Sequence, residues 1–117
     1  MNVDDLCRQL PLEIRAGRRS LNREVTHGYA ADLLSYAMTR AKPGCVWVTL
    51  QGHVNVVGVA SLTEAAAVII TEGLEPDAGT VDNAEEEGIP LLTTELTTYT
   101  VVALMSELGI QGVDEAS

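Results

Sequence analysis

Three short apolar runs recur at even intervals in the second half of the chain: Cys45-Val46-Trp47-Val48-Thr49-Leu50, Ala67-Val68-Ile69-Ile70-Thr71 and Pro90-Leu91-Leu92-Thr93-Thr94. Each is apolar at consecutive rather than alternate positions. A strand carries such a run only when both of its faces are covered. Helix-length stretches separate the runs. That pattern predicts right-handed βαβ units: an α/β fold, a single layered domain with a mostly parallel sheet flanked by helices. A length of 117 residues suits one domain, taken here as 1–117, and no low-complexity linker divides it. Aromatic residues make up 3% with no Phe, so the core must be built from Val, Leu, Ile and Ala.

The remaining elements follow from local pattern. Residues 3–9 read as a short helix with Asp4 and Asp5 at its positive end. Leu12-Glu13-Ile14-Arg15 alternates like a half-exposed strand, Gly17 to Asn22 is a polar loop, and Glu24-Val25-Thr26 is a weak strand. This first strand pair is expected to add an antiparallel edge. Ala30, Leu33, Leu34, Ala37, Met38 and Ala41 fall on one helical stripe that Pro43-Gly44 stops. Val54 to Ala66 is ambiguous. Its valines suit a strand, Asn55 suits an N-cap, and Ser61-Leu62-Thr63-Glu64 matches a capping box, so a helix is placed within 55–65. Pro76-Asp77 opens a helix that Gly88 ends, with Glu85-Glu86-Glu87 unfavourably at its negative end. Thr97 or Thr98 caps a final helix closed by Gly109, and the tail Gln111 to Ser117 is expected to fray.

A net charge of −10 repels nucleic acid and anionic membrane surfaces, so neither is expected as a partner. The basic cluster Arg15, Arg18, Arg19 and Arg23 is either a solvated loop or an anion site. No apolar run reaches the ~20 residues that span a bilayer, and the first residues are acidic where a signal peptide is positive. A cytoplasmic protein is expected. Cys7 and Cys45 lack metal-binding spacing and are expected as free thiols in a reducing compartment.

In an open parallel sheet, ligands gather beyond the carboxyl ends of the strands. Thr49, Thr71 and Thr93 close the three runs at equal spacing. The residues that follow put Gln51, Gly52, His53, Asn55, Glu72, Gly73, Thr94 and Glu95 on one rim. Hydroxyls, amides, an imidazole and carboxylates there suit hydrogen bonding to a small polar ligand. Gly52-His53-Val54-Asn55 is the most suggestive turn. Its glycine allows close approach, and the following helix offers unpaired N–H groups. It also reads as an ordinary turn, with His53 partly exposed and Asn55 as the cap. His27-Gly28-Tyr29 is a second turn of that kind, which would bring His27 beside His53 if the two adjoin. Zinc wants four ligands and Cys45 starts its strand, so no metal site and no cofactor are expected. The phosphate-loop, dinucleotide and nucleophile-elbow motifs are absent. Lys42, the single lysine, follows a predicted helix end.

From about residue 23 to 110 the chain resembles the DRTGG domain family. The stretches that carry this are Val25-Thr26-His27-Gly28-Tyr29-Ala30-Ala31-Asp32-Leu33-Leu34-Ser35, Val46 to Val57, Ala67 to Gly73 and Glu86 to Leu92. The resemblance implies a fold like the amino-terminal domain of HPr kinase and a non-catalytic, regulatory role. It also implies dimer contacts and a setting beside a metabolic enzyme, as in some phosphotransacetylases and nucleotide-regulated pyrophosphatases. Gly52-His53-Val54-Asn55 stands where many members carry Gly-Asp-Arg-Thr, and Thr71-Glu72-Gly73 where they carry Thr-Gly-Gly. The expected function is a ligand-sensing module for a small molecule or nucleotide, working as a homodimer. One alternative is an interaction subunit docked on a larger metabolic enzyme. Another is a small acid–base enzyme pairing His53 with Glu72 or Glu95.

Overall fold

The computed structural model describes residues 1–114. Its elements run α1 (Val3–Gln9), β1 (Glu13–Ala16), a single 3-10 turn (Arg18–Ser20), β2 (His27–Ala30), α2 (Leu34–Arg40), β3 (Cys45–Thr49), α3 (Asn55–Leu62), β4 (Ala67–Ile70), α4 (Ala78–Glu87), β5 (Leu91–Thr93) and α5 (Thr98–Glu107). The five strands form one sheet in the order β1-β5-β4-β3-β2. β1 runs antiparallel to β5, and every other neighbour is parallel.

Every residue of β3, β4 and β5 is buried, as their uninterrupted apolar sequence requires. Successive side chains take opposite faces. Trp47, Val68, Ile70 and Leu91 pack with Ala37 of α2, Val56, Val57 and Ala60 of α3, and Ala84 of α4. Val46, Val48, Ile69 and Leu92 pack with Val3 and Leu6 of α1 and Val101 and Met105 of α5. The sheet is thus covered on both sides, with α2, α3 and α4 on one and α1 and α5 on the other. The Trp47 indole, fully buried, keeps its N–H satisfied by donating to the Ala31 carbonyl at 2.9 Å.

Four local expectations need correction. The second strand is not Glu24–Thr26 but His27–Ala30, whose backbone pairs in parallel with β3 from Cys45 to Val48. Glu24 makes only an isolated bridge with Asn2. The helix expected from Ala30 starts at Leu34, because Ala30 is held in β2 and the Asp32 carboxylate reaches across to the Leu50 N–H at 2.7 Å. Leu33 and Met38 of its stripe are exposed. Ser61 to Glu64 opens no helix; it ends α3, with Glu64 in the left-handed region at φ 56°. The tail does not fray from Gln111. Gly28 N–H donates to the Gln111 carbonyl at 2.8 Å, Gly112 bridges to Gly28 and Val113 is buried. Residues 115–117 of that expectation lie outside the described residues.

The basic cluster is neither simply solvated nor free for an anion. Arg19 donates to the carbonyls of Glu85 and Glu86 at 2.6 and 2.7 Å. Those are orphan acceptors at the carboxyl end of α4, where a cation also offsets the helix dipole and the adjacent glutamates. Arg23 donates to the Ala65 carbonyl at 2.9 Å, Arg18 to that of Ile14, and Arg15 pairs with Glu75. Gly17 adopts φ 80°, and its N–H donates to the Glu85 carboxylate at 2.9 Å. A Cβ at Gly17 would collide with the backbone at Ile89 and Pro90.

Two outcomes follow from this packing. Gly17→Ala combines left-handed strain with a backbone collision and lowers unfolding free energy by at least about 2 kcal/mol in urea denaturation. Cys45 is fully buried, and burial pushes its thiol from 9.0 up to about 11. The folded state therefore holds a proton that the unfolded chain releases. Stability is complete below about pH 9 and falls as pH rises toward about 11, by up to about 3 kcal/mol. Cys45→Ala removes that component from the pH dependence.

Candidate functional site

β3, β4 and β5 end side by side, since Thr49 pairs with Ile70 and Ile70 with Thr93. The loops that follow lead into α3, through a longer connection into α4, and into α5. Three helix N-termini therefore share the end of the sheet where Gln51, Gly52, His53, Asn55, Glu72, Gly73, Thr94 and Glu95 lie. All but Gly52 and Thr94 are exposed. Gly52 is half-buried and Thr94 buried.

Hydrogen bonds within the chain already occupy much of this rim. The His53 Nδ1 accepts the Asn55 N–H at 3.2 Å. Asn55 is therefore the first residue of α3, not its cap, and His53 supplies the capping acceptor instead. The Gly52 carbonyl accepts the Asp77 N–H at 3.0 Å and the buried Thr80 hydroxyl at 2.7 Å, which ties the β3–α3 loop to the start of α4. A Cβ at Gly52 would stand 3.0 Å from the Pro76 Cα, so the glycine permits this contact. Gln51 donates its N–H to the Thr49 hydroxyl at 3.1 Å.

On the β4–β5 side, Glu72 has φ 66° and Gly73 φ 70°. This left-handed pair lets the Glu72 N–H reach the Leu96 carbonyl at 2.8 Å and the Gly73 N–H reach that of Thr94 at 3.0 Å. The Glu72 carboxylate then accepts the Thr98 N–H at 2.8 Å, at the positive end of α5. Thr97 caps the same helix by accepting the Thr100 N–H at 3.3 Å, and Thr71 and Thr98 share a hydroxyl bond of 2.6 Å. The Thr94 hydroxyl accepts the Leu96 N–H at 3.2 Å. The Glu95 carboxylate lies against Gly73, so a side chain there would displace it. A cleft of about 220 Å³ remains beside Gly73, Thr94 and Glu95, bordered by the Arg15–Glu75 pair. The Arg15 hydrogen bond holds the Glu75 carboxyl below the usual carboxylate range.

His27 is not part of this rim. It opens β2 opposite Cys45, while His53 follows the far end of β3. About 13 Å of strand separates the two levels. The His27 Nδ1 meets the Thr26 hydroxyl at 2.6 Å. The shared histidine site is thus ruled out by strand direction: this turn enters a strand where the sequence suggested that it left one. Nor does His53 form an ion pair or hydrogen bond with a carboxylate among the described residues, and Glu72 is engaged at the N-terminus of α5. No group of three or more His, Cys, Asp or Glu residues is arranged to hold a metal ion among the described residues.

Sequence pattern missed Asp32. Its carboxylate accepts the Thr49 hydroxyl at 3.2 Å and the Leu50 N–H at 2.7 Å, which closes the exit of β3. The helix expected from Ala30 spans it; an acid two residues past a His-Gly-Tyr-Ala strand is the signal available. Asp32→Ala leaves the Leu50 N–H without this partner and costs about 1 kcal/mol, measured by chemical denaturation. Glu72→Ala loses its carboxylate from α5 while keeping a positive φ, and also costs about 1 kcal/mol. Glu72→Gly loses the same bond but relieves the backbone, so it is the less destabilising of the two.

A family model described as the DRTGG domain matches residues 5–108. No curated protein matches the sequence. Among solved structures, the fold is similar to the CBS and DRTGG domains of the regulatory region of Clostridium perfringens pyrophosphatase, complexed with the activator diadenosine tetraphosphate. The TM-score is 0.74 at 14% identity, over 98% of this chain and 49% of that one. The chain therefore spans about half the length of that regulatory-region chain. Among the described residues, no helix is long and apolar enough to cross a membrane.

Proposed function

The chain belongs to the DRTGG domain family, and from that premise we propose that it is a non-catalytic, cytoplasmic regulatory module that senses a small polar ligand or nucleotide at the carboxyl ends of its strands. The observation that carries this reading is the family membership, together with a fold shared with a nucleotide-responsive regulatory region. The convergence of the α3, α4 and α5 N-termini supports the location. The hydrogen bonds already made there by His53 and Glu72 define how it would work: a ligand at this rim replaces a capping group and thereby loosens or shifts a helix. Sensing and conformational response are then one event.

A second reading is an interaction subunit docked on a larger metabolic enzyme. It is favoured by the exposed row Val54, Gly58 and Leu62 along α3, where a Cβ at Gly58 would meet open space. Homodimerisation belongs to either reading.

A thermal-shift screen of nucleotides and small polar metabolites tests the sensing role. A ligand at a hundred times its Kd stabilises the fold by about 2.7 kcal/mol and raises the melting temperature by several degrees. His53→Ala should reduce that rise if the ligand sits at the rim. A flat screen, with a metabolic enzyme recovered in stoichiometric complex, favours the second reading. A clean monomer mass by light scattering removes the homodimer.

A further inference from the structure

Among the described residues, six threonines are buried: Thr49, Thr63, Thr71, Thr80, Thr93 and Thr94. A buried hydroxyl is costly to leave without a hydrogen bond, so each should have a partner. Five do. Thr49 donates to the Asp32 carboxylate, Thr63 to the Val59 carbonyl and Thr80 to that of Gly52. Thr71 shares a bond with Thr98, and Thr94 accepts the Leu96 N–H. The Thr93 hydroxyl alone has no partner among the described residues, although Thr93 is only 7% exposed. No fully enclosed side-chain polar atom lacks a partner among those residues. The Thr93 hydroxyl therefore reaches the little open space that its residue has, which is the cleft of about 220 Å³ beside Gly73.

The walls of that cleft are acidic. Glu13 stands opposite Thr93 in the β1–β5 pair, so both side chains leave the same face of the sheet. The Glu95 carboxylate lies over Gly73, where the missing Cβ gives it room. Neither Glu13 nor Glu95 makes a side-chain hydrogen bond or ion pair among the described residues. Glu75 is already paired with Arg15. Three carboxylates thus stand against one guanidinium, and Pro11 and Leu74 supply apolar wall. This balance repels phosphate and favours a cation. A bound calcium ion would need six or more oxygens at roughly 2.3–2.6 Å, and no group of acidic side chains converges in that way among the described residues. An ammonium group asks less: three acceptors at ordinary hydrogen-bond distance satisfy its three N–H donors.

We propose that this cleft binds a primary ammonium carried on a short alkyl chain, as in a diamine. The ammonium donates to the Glu13 and Glu95 carboxylates and to the Thr93 hydroxyl oxygen. The carbon chain lies against Pro11 and Leu74. The inference rests on the ligand-sensing reading above and narrows it: the small polar ligand is cationic, and a nucleotide is not what this cleft selects.

The test is a titration of the ¹⁵N-labelled full chain with putrescine at constant ionic strength, compared with tetramethylammonium, calcium chloride and AMP. Putrescine is expected to move the Gly73, Thr93, Thr94 and Glu95 amides and to saturate by millimolar concentration. Tetramethylammonium carries the charge without an N–H and is expected to leave them in place. Thr93→Val keeps the side-chain shape and removes a hydroxyl that bonds nothing in the chain. It therefore leaves the unfolding midpoint unchanged or higher, while weakening putrescine about tenfold. Glu95→Gln, at an exposed position, weakens putrescine similarly. Glu107→Gln makes the same charge change at the far end of α5 and leaves binding unaltered. Equal binding of tetramethylammonium, tighter binding of calcium, or full affinity in Thr93→Val overturns the ammonium assignment. AMP shifting rim amides while putrescine shifts none overturns it too and leaves the sensing role standing. No shift with any of the four overturns the ammonium assignment, and a flat thermal-shift screen as well overturns the sensing role.

Discussion

β4 is the strand on which the rest of the structure is registered. It lies between β3 and β5, and all four of its residues are buried. Because it is covered on both faces, sliding it by one residue would exchange Val68 and Ile70 for Ala67 and Ile69 in two separately packed clusters. Helices on each side therefore hold the register jointly. With the register fixed, the ends of β3, β4 and β5 coincide, and so do the helix N-termini beyond them. The location of the rim is a consequence of core packing.

What the sequence revealed followed the strength of its signals. The fully apolar strands and the helices set between or after them were legible, because burial on two faces leaves no other pattern. β2 was not. His27-Gly28-Tyr29-Ala30 has no β-branched residue, and its strand character comes from pairing with β3, a tertiary effect that local propensity does not encode. The same blind spot misplaced His27 and hid Asp32. The residues after β3, β4 and β5 lie at one end of the sheet, because a parallel sheet leaves its carboxyl ends together. Their engagement was not foreseen: whether His53 or Glu72 faces a ligand or a helix N-terminus depends on loop conformation, and Glu72 reaches its position through a positive φ that a non-glycine residue rarely adopts.

The arginines show a related economy. In a chain with so large an acidic excess, guanidinium groups close helix ends and bind loop carbonyls across long sequence separations, as Arg19 does to α4 and Arg23 to the start of β4. A cluster that reads as a patch in one dimension is distributed in three. Charge density along a sequence therefore predicts little about charge density on a surface when the folded backbone offers acceptors.

The bridge between Gly112 and Gly28 has a bearing on assembly. The segment after α5 lies along the outer side of β2 through this bridge. Any partner that extends the sheet from this side must compete with that segment for the same backbone groups. The segment is covalently attached and so present at high effective concentration. Pairing through this edge is accordingly disfavoured at low protein concentration, and the segment acts as a built-in guard against indiscriminate strand-to-strand growth.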